Sequence, residues 1–237
     1  MAATLCGEKR LLYGSTAFTL LAFLFQIIAV ATTNWVHIEF HSTIVQNTTG
    51  TDVYIKGFTG GLFRVCEEGY TLSSDGQRKD HEECTSHKFF PEEHELKKDT
   101  KTDIQLVDYM RTGSAFAIIS LLIMLLGHMF AFYTLRRPRY IVKRLTSLMH
   151  FMTAACVLVE NEVFIRKIAY AQENLPDRIP ADAETAYGFS FVLSWISFAV
   201  YVIAGAIFLF TSHKRKAEMA DAIDEFAEED EPVVIRR

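Results

Sequence analysis

Four long apolar blocks constrain the fold more than any other feature of this sequence. They run over residues 11–33, 112–135, 145–165 and 186–211. The hydrocarbon core of a bilayer is about 30 Å thick, and a helix rising about 1.5 Å per residue crosses it with roughly 20 apolar residues. A spanning segment must be helical, because its backbone polar groups find no water there. The pattern predicts an all-α, four-helix transmembrane domain over residues 11–211.

The third block is the weakest of the four. Glu160 and Glu162 interrupt it after about fifteen apolar residues, a length that also suits a helix in a soluble core. The other three blocks carry no Asp, Glu, Lys or Arg, and a soluble fold would have to hide all of them. Context therefore favours a spanning helix here as well.

Basic residues flank the blocks unevenly, and such residues mark cytoplasmic segments by the positive-inside rule. They lie before the first block, between the second and third, and after the fourth: Lys9, Arg10, Arg136, Arg137, Arg139, Lys143, Arg144, Lys214, Arg215 and Lys216. We expect residues 1–10 and 212–237 to be cytoplasmic, the second as a tail. Residues 34–111 and 167–185 then form a large and a short extracellular loop of a plasma-membrane protein.

A cleaved signal peptide is the rival interpretation of the first block. Ala29-Val30-Ala31 resembles a cleavage site. The apolar core of a signal peptide has about 7 to 15 residues, and this block is longer. Length favours an uncleaved helix.

Cysteine positions predict one disulfide in the large loop. Cys66 and Cys84 both lie there, and paired thiols in an oxidising compartment usually form a disulfide. Neither belongs to a closely spaced ligand pair, so a zinc site is disfavoured and no metal is expected. Cys6 and Cys156 lie on the cytoplasmic side and within the third helix; Cys6 is either lipidated or an inert thiol.

The large loop also carries a glycosylation sequon and a strand pattern. Asn47-Thr48-Thr49 is the sequon, so Asn47 is a candidate glycan site. Residues 35–45 and 53–58 are rich in β-branched and aromatic residues with partial alternation, which predicts a small antiparallel sheet. Residues 67–108 are highly charged and are expected to be mostly solvated loop.

These landmarks resemble the signature of the claudin superfamily: Trp35, then Gly61, Leu62, Phe63 and Cys66, then Cys84, and then Arg111 at the mouth of the second helix. Phe63 stands where the family usually has Trp. The resemblance covers residues 10 to about 215. It implies a left-handed four-helix bundle whose first outer loop forms a β-sheet above the membrane.

Within that superfamily, several segments are similar to the voltage-gated calcium-channel γ subunits and the stargazin-type regulators of glutamate receptors. These segments are the long interval between the cysteines, Gly61-Leu62-Phe63-Arg64, Lys88-Phe89-Phe90-Pro91-Glu92 and Tyr187-Gly188-Phe189-Ser190-Phe191. The sequence given ends in Arg236-Arg237 instead of the hydrophobic terminus that many relatives present to scaffolds. Scaffold tethering is therefore not expected.

Ionisable residues inside the predicted helices are the candidate partner contacts. Glu160, Asn161 and Glu162 lie where the third helix approaches the outer face of the membrane, and charge within a spanning helix is costly unless it faces protein, water or a cationic partner. The alternative is local snorkelling and pairing with Arg166 or Lys167. His128 and His150 could suggest a proton relay, but bonding between helices explains them sufficiently.

No pattern of an enzyme, a cofactor site or a small-molecule substrate site was found in the sequence. The net charge of -5 lies in the loops and tail and suggests no nucleic-acid groove. Two hypotheses remain besides contact with lipid. One is an auxiliary γ-like subunit that binds a pore-forming channel or receptor and changes its gating or trafficking. The other is a claudin-like junction protein that forms homo-oligomers, in which the loop's acidic excess would favour cations.

Overall fold

Four long helices dominate the computed structural model, which describes residues 2–48, 51–72, 77–92, 94, 102–137 and 139–229. They are α1 (Ala2–Ala31), α2 (Ile104–Arg136), α3 (Tyr140–Asn174) and α4 (Phe189–Glu229). Each contains a segment long and apolar enough to cross a bilayer: Lys9–Ala31, Ile104–Arg136, Tyr140–Asn174 and Phe189–His213. The four predicted transmembrane helices are confirmed, and the chain is a multi-pass membrane protein.

A five-stranded antiparallel sheet caps one end of the bundle. Its strands are β1 (Val36–Thr48), β2 (Thr51–Gly60), β3 (Arg64–Leu72), β4 (Arg78–Ser86) and β5 (Glu184–Tyr187), in the order β4-β3-β2-β1-β5. β1 follows α1, and β5 lies between α3 and α4. Because these two strands pair, the sheet joins the first half of the chain to the second half. The predicted small antiparallel sheet is therefore confirmed.

The helices separate lipid-facing from core-facing residues. Large apolar side chains such as Phe18, Ile118, Leu148 and Phe210 are exposed on the outside of the bundle, as a bilayer solvent requires. Small and polar residues fill the centre. Gly205 in α4 shows why: a Cβ there would lie 3.1 Å from the Phe151 ring, and its carbonyl accepts from Ser147 at 2.7 Å.

Two sequence-based expectations about the large loop were wrong. Residues 67–108 were expected to be mostly solvated loop, yet β3 and β4 run through the first half of that range. β4 is exposed at almost every position and most of β3 is only partly buried, so neither strand has the regular alternation of apolar and polar residues that marks a strand with one buried face. The second helix also begins at Ile104 and not near Thr112, because the Asp103 carboxylate accepts from the Leu106 backbone N–H at 2.7 Å and caps it.

Candidate functional site

Trp35 is the centre of the junction between the sheet and the bundle. Its side chain is fully buried, and the indole N–H donates to the Ala29 carbonyl of α1 at 2.6 Å. The ring packs against Phe164 of α3 and Phe191 of α4, at centroid distances of 4.9 and 6.0 Å. Its backbone carbonyl accepts from Gly188. One residue thus joins three helices immediately before β1 begins.

The Gly61-Leu62 turn forms the second attachment. A Cβ on Gly61 would lie 2.5 Å from the Thr32 carbonyl oxygen, so a side chain does not fit without movement of the backbone. The Leu62 side chain is buried, and its carbonyl accepts from the Ser114 hydroxyl of α2 at 3.1 Å. The signature glycine is explained by this close approach between β2 and the end of α1.

Arg111 holds the segment after β4 against α2. Its Nε donates to the Phe89 carbonyl at 2.6 Å, and its guanidinium lies 4.9 Å from the Phe90 ring centroid. Phe89 packs edge-on against Phe63, the residue that stands where the family usually has Trp. The predicted motif residues Phe63 and Arg111 therefore meet through one short aromatic segment.

Cys66 and Cys84 form the predicted disulfide, which joins β3 to β4 at directly paired positions. Both sulfurs are therefore unavailable as thiolate ligands, although Glu82 lies beside them. Asn47 lies in β1, but its side chain and Thr49 fall outside the described residues, so glycosylation stays a prediction. The Cys6 side chain is likewise outside them, and Cys156 is a buried free thiol.

Glu160 does not face a partner, and that prediction was wrong. The residue is fully buried, and its carboxyl oxygens accept from the Gln26 side-chain amide of α1 at 3.1 and 3.2 Å. The adjacent Asn161 is also fully buried and accepts from the Ser194 hydroxyl of α4 at 2.7 Å. A buried carboxyl needs such hydrogen bonds, so these residues form a polar contact between three helices.

Glu162 is exposed on the outer surface of α3, and its role as a partner contact stays a prediction. Lys167 does not lie beside Glu162 at the membrane–water interface, as local snorkelling and pairing would require. It is buried, donates to the Gly61 carbonyl at 3.4 Å and lies 4.3 Å from the Phe164 ring centroid. The turn of the helix places neighbouring charges on opposite sides.

The two transmembrane histidines pack among aromatic rings. His128 bonds the Met124 carbonyl of its own helix through Nδ1 at 2.6 Å, and its ring lies 5.3 Å from that of Phe23. His150 packs against Tyr201 and Phe208, at centroid distances of 5.5 and 5.3 Å. Both histidines contact Tyr201, so they belong to the helix-packing core.

His87 lies between the sheet and the bundle and is shielded from solvent. Its Nε2 is 3.3 Å from the Gly61 carbonyl oxygen. Burial lowers its pKa to about 3, with further lowering from the positive charges of Lys167 and Arg178. The ring is therefore neutral over the physiological range and acts as part of the packing at the junction.

Sequence reasoning missed two members of this region, Gln26 and His87, and it did not place Asn161 or Lys167 in the packed interior. The available signal was the polar side chain of Gln26 within an otherwise apolar block. Together the junction residues make the sheet and the four helices one continuous packed body. Such an arrangement can present a fixed outer surface and an apolar lateral surface to other proteins.

Comparison with known families agrees with this geometry. A family model described as PMP-22/EMP/MP20/Claudin tight junction matches residues 20–210. The chain belongs to the claudin superfamily. Of the residues that resemble the claudin signature, Trp35, Gly61 and Arg111 hold the sheet and the segment after it against the bundle, and Cys66 and Cys84 join β3 to β4.

Several relatives of this claudin-superfamily chain are calcium-channel subunits. The human voltage-dependent calcium channel gamma-7 subunit is 26% identical over 217 residues, which cover 90% of this chain and 75% of that protein. The mouse gamma-5 subunit is 25% identical over 219 residues, covering 89% and 73%. Human epithelial membrane protein 2 is 29% identical over 72 residues, covering 30% of this chain and 42% of that protein.

Proposed function

We propose that this protein is an auxiliary subunit that binds a pore-forming ion channel or receptor in the plasma membrane and modulates its gating or trafficking. The similarity to gamma-7 and gamma-5 subunits over about 90% of the chain carries the proposal. The match to epithelial membrane protein 2 extends over a much shorter segment. We assign the protein no enzymatic activity and no cofactor.

The proposed orientation puts both termini in the cytoplasm and the sheet outside the cell. Basic residues at the ends of the helices remote from the sheet support it. The sheet carries the disulfide, and disulfides form and persist in oxidising compartments such as the cell exterior. In this orientation the basic start of the tail, from Lys214, lies next to anionic lipid on the cytoplasmic side.

Lateral binding follows from the surface of the bundle. Its large apolar side chains face outward, where they pack against lipid or against helices of a partner. The sheet is held to the bundle by Trp35, Gly61 and Arg111, so a partner that binds the helices also lies beside the sheet. Modulation requires only that the protein bind one gating state of the channel more tightly than another.

Glu162 is the residue proposed to direct this contact. Lys167, at the sheet junction, is five residues further along α3, so Glu162 lies roughly 7.5 Å deeper at about 1.5 Å per residue. An exposed carboxylate at this depth is costly in lipid and is stabilised by a basic group of a partner helix. This argument points to the lateral face of α3.

The test is co-expression of the protein with candidate calcium-channel pore subunits, followed by capture in mild detergent and by current recording. We expect a stable complex with at least one pore subunit and an altered voltage dependence or surface density. Glu162→Gln should weaken both effects, whereas Glu173→Gln, an exposed glutamate nearer the end of the same helix, should leave them intact. Capture and gating unchanged in Glu162→Gln would reject the role of Glu162, and no complex with any pore subunit would reject the proposed function.

A junction protein is the second candidate, and the description of the matching family supports it. Acidic residues outnumber basic ones in residues 34–111, and β4 exposes Glu82 and Glu83, so the sheet would present a cation-favouring surface between cells. This function would require homo-oligomers at cell contacts. A continuous ring at epithelial contacts, with no channel subunit in the purified complex, would favour it over the channel function.

A further inference from the structure

Phe90 is the most exposed large apolar side chain in the described part of the chain, at 85%. It follows β4 in the segment that Arg111 holds against α2. The neighbouring Phe89 packs against Phe63, whereas the Phe90 ring lies over the Arg111 guanidinium, 4.9 Å from its centroid. Single exposed apolar residues are common in proteins, so the position of Phe90 decides what its exposure means.

Arg111 fixes the depth of the Phe90 ring relative to the bilayer. It directly precedes residues 112–135, a stretch without Asp, Glu, Lys or Arg that spans roughly 36 Å at about 1.5 Å per residue. This length fills the hydrocarbon core of about 30 Å, so Arg111 lies at the edge of that core. The guanidinium is directed away from the hydrocarbon, because it pairs with Asp108 one turn earlier, at 3.1 Å. The Phe90 ring therefore lies at the level of the lipid headgroups.

The same side of α2 faces lipid below this point. Ile118 and Leu122 follow Arg111 at seven and eleven positions, a spacing that puts all three residues on one face of a helix. Both apolar side chains are exposed on the outside of the bundle, at 50% and 58%. The Phe90 ring thus continues the lipid-facing apolar surface of α2 towards the sheet.

We propose that Phe90 inserts into the membrane leaflet on the side of the sheet and attaches the segment after β4 to the lipid surface. An aromatic ring has a large apolar area that leaves water on insertion. The Arg111 side chain, 40% exposed, lies at the same level, where a guanidinium is compatible with lipid phosphates. This contact adds the bilayer itself to the attachments that hold the sheet. It needs only the chain and lipid, so it is independent of the proposed channel partner.

A neighbouring protein is the rival occupant of this surface. A partner that covered this side of α2 would also cover Ile104, which is 62% exposed and precedes Arg111 by seven residues on the same face. Ile104 lies about 10 Å further from the bilayer than Arg111, at about 1.5 Å per residue. Lipid therefore shields Phe90 and leaves Ile104 in water, whereas a protein partner shields both.

The test adds one tryptophan to the full chain, with one chain in each phosphatidylcholine nanodisc. Its fluorescence is the difference from the wild type, which carries Trp35 and Trp195. In Phe90→Trp, lipid brominated next to the acyl carbonyl should quench the added emission several-fold more than aqueous iodide does. Ile104→Trp is the matched control, because it places the same probe on the same face outside the membrane. It should show the reverse preference.

Two results would overturn the proposal. One is an added emission in Phe90→Trp that iodide quenches as strongly as it does in Ile104→Trp. The other is an emission that becomes shielded only when a pore subunit or a second copy of the chain is added, which would assign Phe90 to a protein interface. If Phe90→Trp does not fold, a photoactivatable phosphatidylcholine and the wild type decide. Labelling of the peptide that contains Phe90 supports insertion, and labelling confined to the helices refutes it.

Discussion

Replacing Trp35 should loosen the whole junction between the sheet and the bundle. The side chain is fully buried and contacts Ala29, Phe164 and Phe191 on three different helices. Truncation of a buried aromatic to Ala costs roughly 3–5 kcal/mol. Trp35→Phe keeps a ring but loses the indole N–H, and the loss of one hydrogen bond costs about 1 kcal/mol. We therefore expect Trp35→Ala to be several-fold more destabilising than Trp35→Phe.

Cys156 provides the assay. It is a buried free thiol, so a thiol-reactive fluorophore labels it on unfolding, while Cys66 and Cys84 are protected in their disulfide. The Cys6→Ser background removes the remaining cysteine. The midpoint of labelling against temperature then reports unfolding of the bundle in detergent without relying on tryptophan fluorescence.

The matched control is Trp195→Phe, because Trp195 is the second tryptophan of the chain and is only partly buried. A double-mutant cycle between Trp35→Phe and Phe164→Leu should give a coupling of about 0.5–1.5 kcal/mol, since the rings lie 4.9 Å apart. If Trp35→Ala shifts the midpoint no more than Trp195→Phe, or if the coupling is zero, Trp35 is not the centre of the junction.

Three further perturbations test other parts of the structure. Reduction of the disulfide, or Cys66→Ser with Cys84→Ser, should lower the free energy of unfolding by about 3 kcal/mol for a sequence separation of 18. Limited proteolysis between β3 and β4 should then be faster. An unchanged rate of cleavage would contradict this. Glu160→Leu should destabilise the protein by roughly 1–3 kcal/mol, because it leaves the Gln26 amide without its acceptor. Adding Gln26→Leu should restore part of this loss of stability. A double variant less stable than Glu160→Leu would argue against the contact. The pKa of His87 is lowered to about 3, so the unfolded state binds the extra proton and stability should fall as pH decreases from 6.5 towards 3, by at most about 1.4 kcal/mol per pH unit; His87→Phe should have a flatter unfolding profile over that range, and an equal slope in both proteins would be inconsistent with a neutral His87.

Hydropathy was sufficient to predict the four helices, because a long apolar segment that crosses lipid must be helical to satisfy its backbone hydrogen bonds. It underestimated their lengths. α3 continues to Asn174, beyond the predicted residue 165, because its last turns pack beneath the sheet and are no longer in contact with lipid. Composition alone does not reveal where a helix leaves the membrane and enters a second core.

The sheet was only half predictable. β1 and β2 carry β-branched and aromatic residues, and their partial alternation indicated two strands of a small sheet. β4 is almost entirely polar and exposed, and it is held by its ladder with β3 and by Cys84. β5 has four residues, too few for any periodicity to appear. Long-range pairing, and not local sequence, determines these two strands.

Glu160 and Glu162 show how far the sequence alone can predict the candidate site. They are two residues apart, so sequence placed both near the same membrane surface. The helix points one into the bundle and the other outward. The partner of Glu160 is Gln26, which lies 134 residues earlier, and no local pattern connects them. Only the packed bundle separates an internal polar contact from an exposed carboxylate.

The central claim is that this claudin-superfamily protein is an auxiliary channel subunit. The most direct measurement is quantitative mass spectrometry of the complex purified in mild detergent from cells that produce the protein at its native level. The proposal predicts a pore-forming channel or receptor subunit in a fixed, near-integral ratio to this chain. Recovery of the chain with itself and with junction proteins, and with no pore-forming subunit, would contradict it.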